Sequence, residues 1–407
     1  MESPWPWEPD LLKPLLLALS AMFLQQTFVS IGRVLPAVIA PVILLDMDLD
    51  PAWVGVYFGV TSAAALFAQM GCGSFIIRYG ALRMSQIALV MLAAGMAIAA
   101  QGAMLGFALA AIIGGGGAAM STPASSHLLS RVSPRRYAPL VFSIKQTAVP
   151  AGLLLGGSLG PLMVADLGWR GAMLSTAAAC FAFVFMLHPL RSRFDSDRDP
   201  TRAFRLSDFK TTITSVMAAR DLRGLSFACF AFNGIQQVFT AYFVLYLTHL
   251  GHSLVAAGVI FSVVVAIAVP GRIVWGWLGS FHVEPRLVMA GLAFGMAGSA
   301  ALMGCFSSGW PVAAIGGVAG VLSATAMSWH GILLSEAARL APDGKAGSVT
   351  GGVLSFGQMG ALLAPVVYSG LLSVTGNYGV GFIVCGVPAL LVGIDLVRQK
   401  RLDKTAV

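Results

Sequence analysis

Long apolar runs recur along the whole chain and constrain its fold more than any other feature. They follow one another from about residue 14 to residue 397, and only 10% of the residues are charged. About 20 predominantly apolar residues suffice to cross a bilayer as a helix. Because lipid offers the backbone no hydrogen bonds, a spanning segment must satisfy its own polar groups, as a helix does. The sequence therefore predicts an all-α membrane protein.

Proline, glycine and charge clusters interrupt the runs and divide them into twelve predicted transmembrane helices. Spans 1 to 6 are expected at about 14–44, 52–77, 84–102, 105–130, 138–165 and 169–190. Spans 7 to 12 are expected at about 223–249, 254–280, 287–306, 310–338, 347–373 and 378–397. These limits predict an N-terminal six-helix bundle over 1–190, a cytoplasmic linker over 191–222 and a C-terminal six-helix bundle over 223–407.

The placement of Lys and Arg predicts the orientation. If both termini are cytoplasmic, 21 of the 25 basic residues lie on the cytoplasmic side, and only Arg170 lies opposite. Cytoplasmic loops carry such an excess. We therefore expect a multi-pass protein of a bacterial inner membrane with both termini in the cytoplasm. The same bias accounts for the net charge of +8 without a nucleic-acid partner.

The two predicted bundles contain matching short patterns at a nearly constant offset. The matches are Gln25–Phe28 with Gln236–Phe239, 211 positions apart, Ser143 and Gln146 with Ser355 and Gln358, 212 apart, and Gly73 with Gly276, 203 apart. Such a duplication predicts two six-helix pseudo-repeats. Transporters built from parallel repeats hold their substrate near the membrane midplane, between the repeats.

A loop pattern after span 2 adds a resemblance to a known family. Gly73, Arg78, Gly80 and Arg83 resemble the loop signature of the major facilitator superfamily, and Gly271 to Gly276 after span 8 resemble its second-half counterpart. The signature's acid is missing, since Ile77 and Ser280 stand in its place. The resemblance implies a twelve-helix transporter in which the loop residues Gly73, Arg78, Gly80, Arg83 and Gly276 take part in gating. It also implies that spans 1, 4, 7 and 10 line a central cavity.

Three basic residues within spans are candidates for substrate binding, because an ionisable group inside a membrane is costly. Arg33 lies near the middle of span 1, and Gln26, Ser30 and Arg33 follow i, i+4, i+7 spacing, which predicts one shared helix face. Lys145 in span 5 and Arg272 in span 8 are the other two. For each of the three, a structural role, with the cation bonded to backbone carbonyls or at the gate, is the alternative.

Polar residues of span 7 and two histidines complete the set of candidates. Asn233, Gln237 and Thr240 share the spacing of the span 1 face and are expected to line the cavity opposite it. His127 in span 4 and His330 in span 10 are possible proton-coupling residues, since histidine titrates near neutral pH. The alternative is a structural role, in which each histidine contacts a neighbouring helix with its hydrogen bonds satisfied.

The distribution of acids predicts the charge of the substrate. All 17 acidic residues fall outside the middle of a span, so a cavity lined by cations should attract a carboxylate. The sequence predicts a monomeric secondary active transporter of a small organic anion, by proton symport or anion exchange, broadly resembling the organic-anion and monocarboxylate branches. It predicts no cofactor, no metal site and no partner besides substrate and membrane lipid. The alternative is multidrug or metabolite efflux. An intramembrane enzyme or receptor is disfavoured, because the sequence offers no catalytic set.

Overall fold

The computed structural model describes residues 9–133, 138–201, 216–217, 219–340 and 346–405, and within these ranges the chain is helical without strands. Span 1 consists of Pro9–Val38 and Ala40–Asp46, span 2 of Trp53–Tyr79, and span 3 of Ala81–Ala99. Span 4 consists of Met104–Ala119 and Ser121–Val132, and spans 5 and 6 together consist of Ala138–Gln146 and Ala148–Leu187. Span 7 consists of Arg220–His249, span 8 of Leu254–Ala266 and Ala268–Phe281, and span 9 of Pro285–Met303. Span 10 consists of Val312–Ala326 and His330–Arg339, span 11 of Ala346–Thr375, and span 12 of Tyr378–Thr405. Most of the predicted linker, at 202–215 and 218, lies outside the described residues.

Twelve membrane crossings follow from the lengths of these helices. Ten helices in the described ranges are long and apolar enough to span a membrane, and the bent pair within Trp53–Tyr79 makes an eleventh. One of the ten, Ile144–Phe194, has 51 residues, more than twice the length that a hydrocarbon core of about 30 Å requires at about 1.5 Å per residue. Gly168, with a φ of 70°, kinks the helix inside this segment. This segment therefore crosses twice, which confirms the twelve-helix prediction.

Glycines let span 5 pack closely against span 1. A Cβ placed on Gly152 would lie 2.4 Å from the Ser30 side chain, and a Cβ placed on Gly156 would lie 2.3 Å from the Val34 side chain. Neither distance is possible for a real side chain, so both positions require glycine. The two helices are consequently in contact near their middles, as small residues at four-residue spacing allow.

Contacts between the first six and the last six spans concentrate at one end of the bundle. We call the end where the linker joins span 6 to span 7 the linker side, and the opposite end the far side. In the far-side half, spans 2 and 11 are joined by hydrogen bonds, as are spans 5 and 8: Ser62 Oγ to the Ala361 carbonyl at 3.1 Å, Ser369 to the Ala52 carbonyl, and Ser158 Oγ to Ser262 Oγ at 3.0 Å. The two groups of spans are thus held together on the far side.

Candidate functional site

The predicted polar face of span 1 has three different environments. The Gln26 amide oxygen accepts hydrogen bonds from Ser121 at 3.0 Å and from Thr122 at 3.2 Å, both on span 4. The hydroxyl of Ser30 donates to the Gln26 carbonyl at 2.8 Å, and its side chain lies against Gly152. Gln26 and Ser30 are buried. Gln26 thus bonds span 1 to span 4 and Ser30 packs against span 5, and only Arg33 of the three is exposed.

Arg33 combines exposure with a position deep inside the helix bundle. Its neighbours along span 1 pack against spans 3 and 5, since Gly32 lies against Leu92 and Val34 against Gly156. Among the described residues, no acceptor binds the Arg33 guanidinium. An exposed cation surrounded by protein and without a carboxylate partner can bind an anion that enters the bundle.

Arg272 lies in the linker-side half and joins the two groups of spans. Its Nε donates to the Met327 carbonyl of span 10 at 2.8 Å, and an Nη donates to the Gln146 carbonyl of span 5 at 2.9 Å. Both interactions use main-chain oxygens, and the side chain is half-buried. In this conformation Arg272 has the geometry of the structural alternative.

Lys145 is the neighbour of Gln146 but has a different environment. Its side chain is fully buried, and among the described residues no group forms a hydrogen bond with its Nζ. A buried polar group without a partner is costly. Lys145 therefore differs from Arg33, which is accessible, and from Arg272, which is bonded.

The polar residues of span 7 are mostly engaged with their own half. Asn233 donates to the Gly357 carbonyl of span 11 at 2.8 Å, and Thr240 donates to the Gln236 carbonyl at 3.0 Å. The side chain of Gln236, which the sequence did not single out, accepts from the Trp329 indole at 3.1 Å. Gln237 is half-buried. Its environment leaves it the candidate of this set least committed to helix packing.

The two histidines have different chemical environments. His127 Nε2 is 3.1 Å from Asp197 Oδ2 of the linker, and Arg131 binds the same carboxylate. His330 stacks on Trp329 with ring centroids 3.7 Å apart, and its Nδ1 is buried without a partner among the described residues. His127 thus belongs to a surface charge cluster, whereas His330 adjoins the span 7 residues through Trp329.

The loop between spans 2 and 3 has a carboxylate that the local sequence does not show. Asp195 accepts hydrogen bonds from the backbone N–H groups of Leu82 at 2.8 Å and Arg83 at 3.0 Å. Gly80, with a φ of 96°, lies directly against it. Gly73 and Arg78 are exposed, and Gly276 is half-buried. The pattern of the loop gave no signal for Asp195, because the two segments are far apart in sequence.

No group of metal-ligating side chains occurs in the part of the chain that the structure describes. Among the candidate residues, Ser30 is hydrogen-bonded to Gln26, and Arg272 is hydrogen-bonded to Gln146, the neighbour of Lys145. Arg33 stands apart from the other two cations as an accessible site. The arrangement can bind a charged solute.

Comparisons with known proteins agree with the fold. A POT family transporter in complex with a thioalcohol-conjugated peptide has a TM-score of 0.73 and 14% identity, covering 94% of this chain and 96% of that chain. A mutant of the nucleoside transporter NupG gives 0.72 and 14%, covering 93% and 99%. The D-xylose–proton symporter gives 0.69 and 16%, covering 93% and 96%. No curated protein matches in sequence.

The family model of the Major Facilitator Superfamily matches residues 22–365. This match covers most of the chain, from within span 1 to within span 11. Together with the twelve crossings, it makes the protein a multi-pass transporter. The chain belongs to the Major Facilitator Superfamily.

Proposed function

We propose that this transporter moves a small organic anion, with Arg33 as the group that binds the carboxylate. The observation that carries the proposal is the accessible, unpaired guanidinium inside the bundle. Arginine presents two parallel N–H donors that match the two oxygens of a carboxylate. The acids among the described residues lie at or beyond the ends of spans, where Glu336 binds Arg339 and Asp46 binds Arg170. The interior therefore has a positive field that favours an anion.

The transport cycle we propose is alternating access with both termini in the cytoplasm of a bacterial inner membrane. The first and last six spans would rock about a site between them, as in transporters with parallel repeats. The far-side contacts of spans 2 and 11 then make this the inward-facing state. Proton symport is supported by one structural neighbour that is a proton symporter, and labelling of single cysteines at Asp48 and Ser196 from either side measures the orientation.

The substrate class is tested by uptake of labelled organic acids into proteoliposomes. We expect uptake of carboxylates and no efflux of cationic dyes, because a cation would meet the charge of Arg33 without a compensating acid. Arg33→Gln should abolish the uptake. Arg223→Gln is the matched control, since Arg223 is exposed at the linker-side start of span 7. Dye transport that survives in Arg33→Gln would instead establish multidrug efflux.

A further inference from the structure

A cavity of about 130 Å³ lies in the far-side half between spans 1, 2 and 4. Its walls include Pro36 and Ala40 of span 1, Tyr57 and Phe58 of span 2, and Phe107 and Ala111 of span 4. The described residues that line it include no charged side chain, and their polar side-chain groups are the Trp53 indole N–H and the Tyr57 hydroxyl. A cavity of this size and character suits an apolar group, since one of about 150 Å³ binds benzene.

The register of spans 1 and 4 places Arg33 beside this cavity. The two helices are antiparallel, and Gln26 bonds to Ser121. Pro36 lies ten residues after Gln26 on span 1, and Ala111 lies ten residues before Ser121 on span 4. Both residues line the cavity. Arg33 lies between the hydrogen bond and the cavity, three residues before Pro36, or about 4.5 Å along the helix axis. A charged group and an apolar cavity therefore adjoin on one helix seam.

The helix periodicity gives the same result. Arg33, Pro36 and Ala40 follow i, i+3, i+7 spacing and so share one face of span 1. That face is turned away from the contacts of Val34 with Gly156 on span 5. A ligand bound at the Arg33 guanidinium consequently has the cavity within reach of its next few atoms.

We propose that the substrate is a carboxylate with an apolar body of about the size of a phenyl ring, such as an aryl or branched aliphatic acid. This inference builds on the proposed function. The carboxylate binds Arg33, and the apolar body occupies the cavity between spans 1, 2 and 4. A hydroxylated acid of the same size is disfavoured, because the walls are almost wholly apolar and would leave most of its hydroxyl groups without hydrogen-bond partners.

The test compares three probes of graded chemistry on the purified full chain in lipid nanodiscs. Benzoate has both the charge and the ring, acetate has the charge alone, and benzyl alcohol has the ring without the charge. We expect benzoate to bind about 10- to 100-fold more tightly than acetate, as burial of a side chain of phenyl size implies. Benzyl alcohol should bind much more weakly than benzoate.

Cavity-filling variants locate the preference. Ala111→Phe occupies the cavity and should reduce the benzoate-to-acetate ratio to near one while acetate affinity stays unchanged. Ala40→Leu, from the opposite wall, provides a second variant if the first does not fold. Ile112→Phe is the matched control, because Ile112 is the next residue of span 4, is 51% exposed and does not line the cavity. The control should keep the full ratio.

The outcomes separate this inference from the proposed function. Equal affinities for benzoate and acetate in the unaltered protein, with both lost in Arg33→Gln, would overturn the apolar subsite and leave the anion site standing. A benzoate preference that survives both Ala111→Phe and Ala40→Leu would also overturn it. Benzyl alcohol binding as tightly as benzoate would assign the cavity to neutral hydrophobic molecules such as lipid chains. Affinities that do not depend on Arg33 would overturn both proposals.

Discussion

At the scale of single residues, two cations of the first six spans have opposite environments. Arg33 is exposed inside the bundle, and Lys145 is fully buried, with no hydrogen-bond partner for its Nζ among the described residues. The sequence identified both, because a basic residue within an apolar run is conspicuous. It could not distinguish their environments, since periodicity predicts the face of a helix but not the residues that pack against that face. Gln26 illustrates this limit, because its partner Ser121 was not predicted.

Replacing Lys145 by Met should stabilise the protein and impair transport. The substitution removes a buried polar group without a partner. Burial of such a group costs about 1–3 kcal/mol in protein mutational data. Uptake should fall, because a cation that lacks a partner in this conformation is expected to gain one elsewhere in the cycle. Thermal unfolding and proteoliposome uptake measure the two effects. The exposed Lys13→Met is the control, and a lower melting temperature with normal uptake would show that Lys145 is structural.

At the scale of elements, the number and order of the helices were readable from the sequence, but the contacts between distant segments were not. The break that the sequence predicts between spans 5 and 6 contains Gly168, where the helical segment is kinked. Near the linker-side ends of spans 9 and 10, Arg286 and Arg339 donate hydrogen bonds to the buried carboxylate of Glu336. Asp195 likewise binds the start of span 3 from the linker. Such pairings between distant segments leave no local pattern.

Asp195→Ala should destabilise the linker side of the first six spans. The substitution leaves the N–H groups of Leu82 and Arg83 without the acceptor that caps span 3. Loss of a helix cap costs about 0.5–2 kcal/mol, and the melting temperature of the purified protein measures it. Asp166→Ala is a suitable control, because Asp166 is exposed. If both variants have the same melting temperature as the unaltered protein, the contact of Asp195 with span 3 does not contribute to stability.

At the scale of the whole molecule, apolar run length and charge placement together predicted the fold. Every span is an obligatory helix in lipid, so the sequence needed to supply only the number and order of spans. The side on which the two groups of spans meet was not predictable, because alternating access requires the same sequence to support contacts on either side. The division at 1–190, 191–222 and 223–407 stays a prediction.

The most direct test of the account is the affinity of folded Arg33 variants for a carboxylate substrate. Arg33→Lys keeps the charge but loses the paired donors and should bind more weakly, and Arg33→Gln should bind more weakly still. Loss of such a pair costs about 2–5 kcal/mol, or roughly thirty-fold to several thousand-fold in affinity. Calorimetry on monodisperse protein, with the folded fraction recorded alongside, provides the measurement. Affinity near that of the unaltered protein in folded Arg33→Gln would contradict the account.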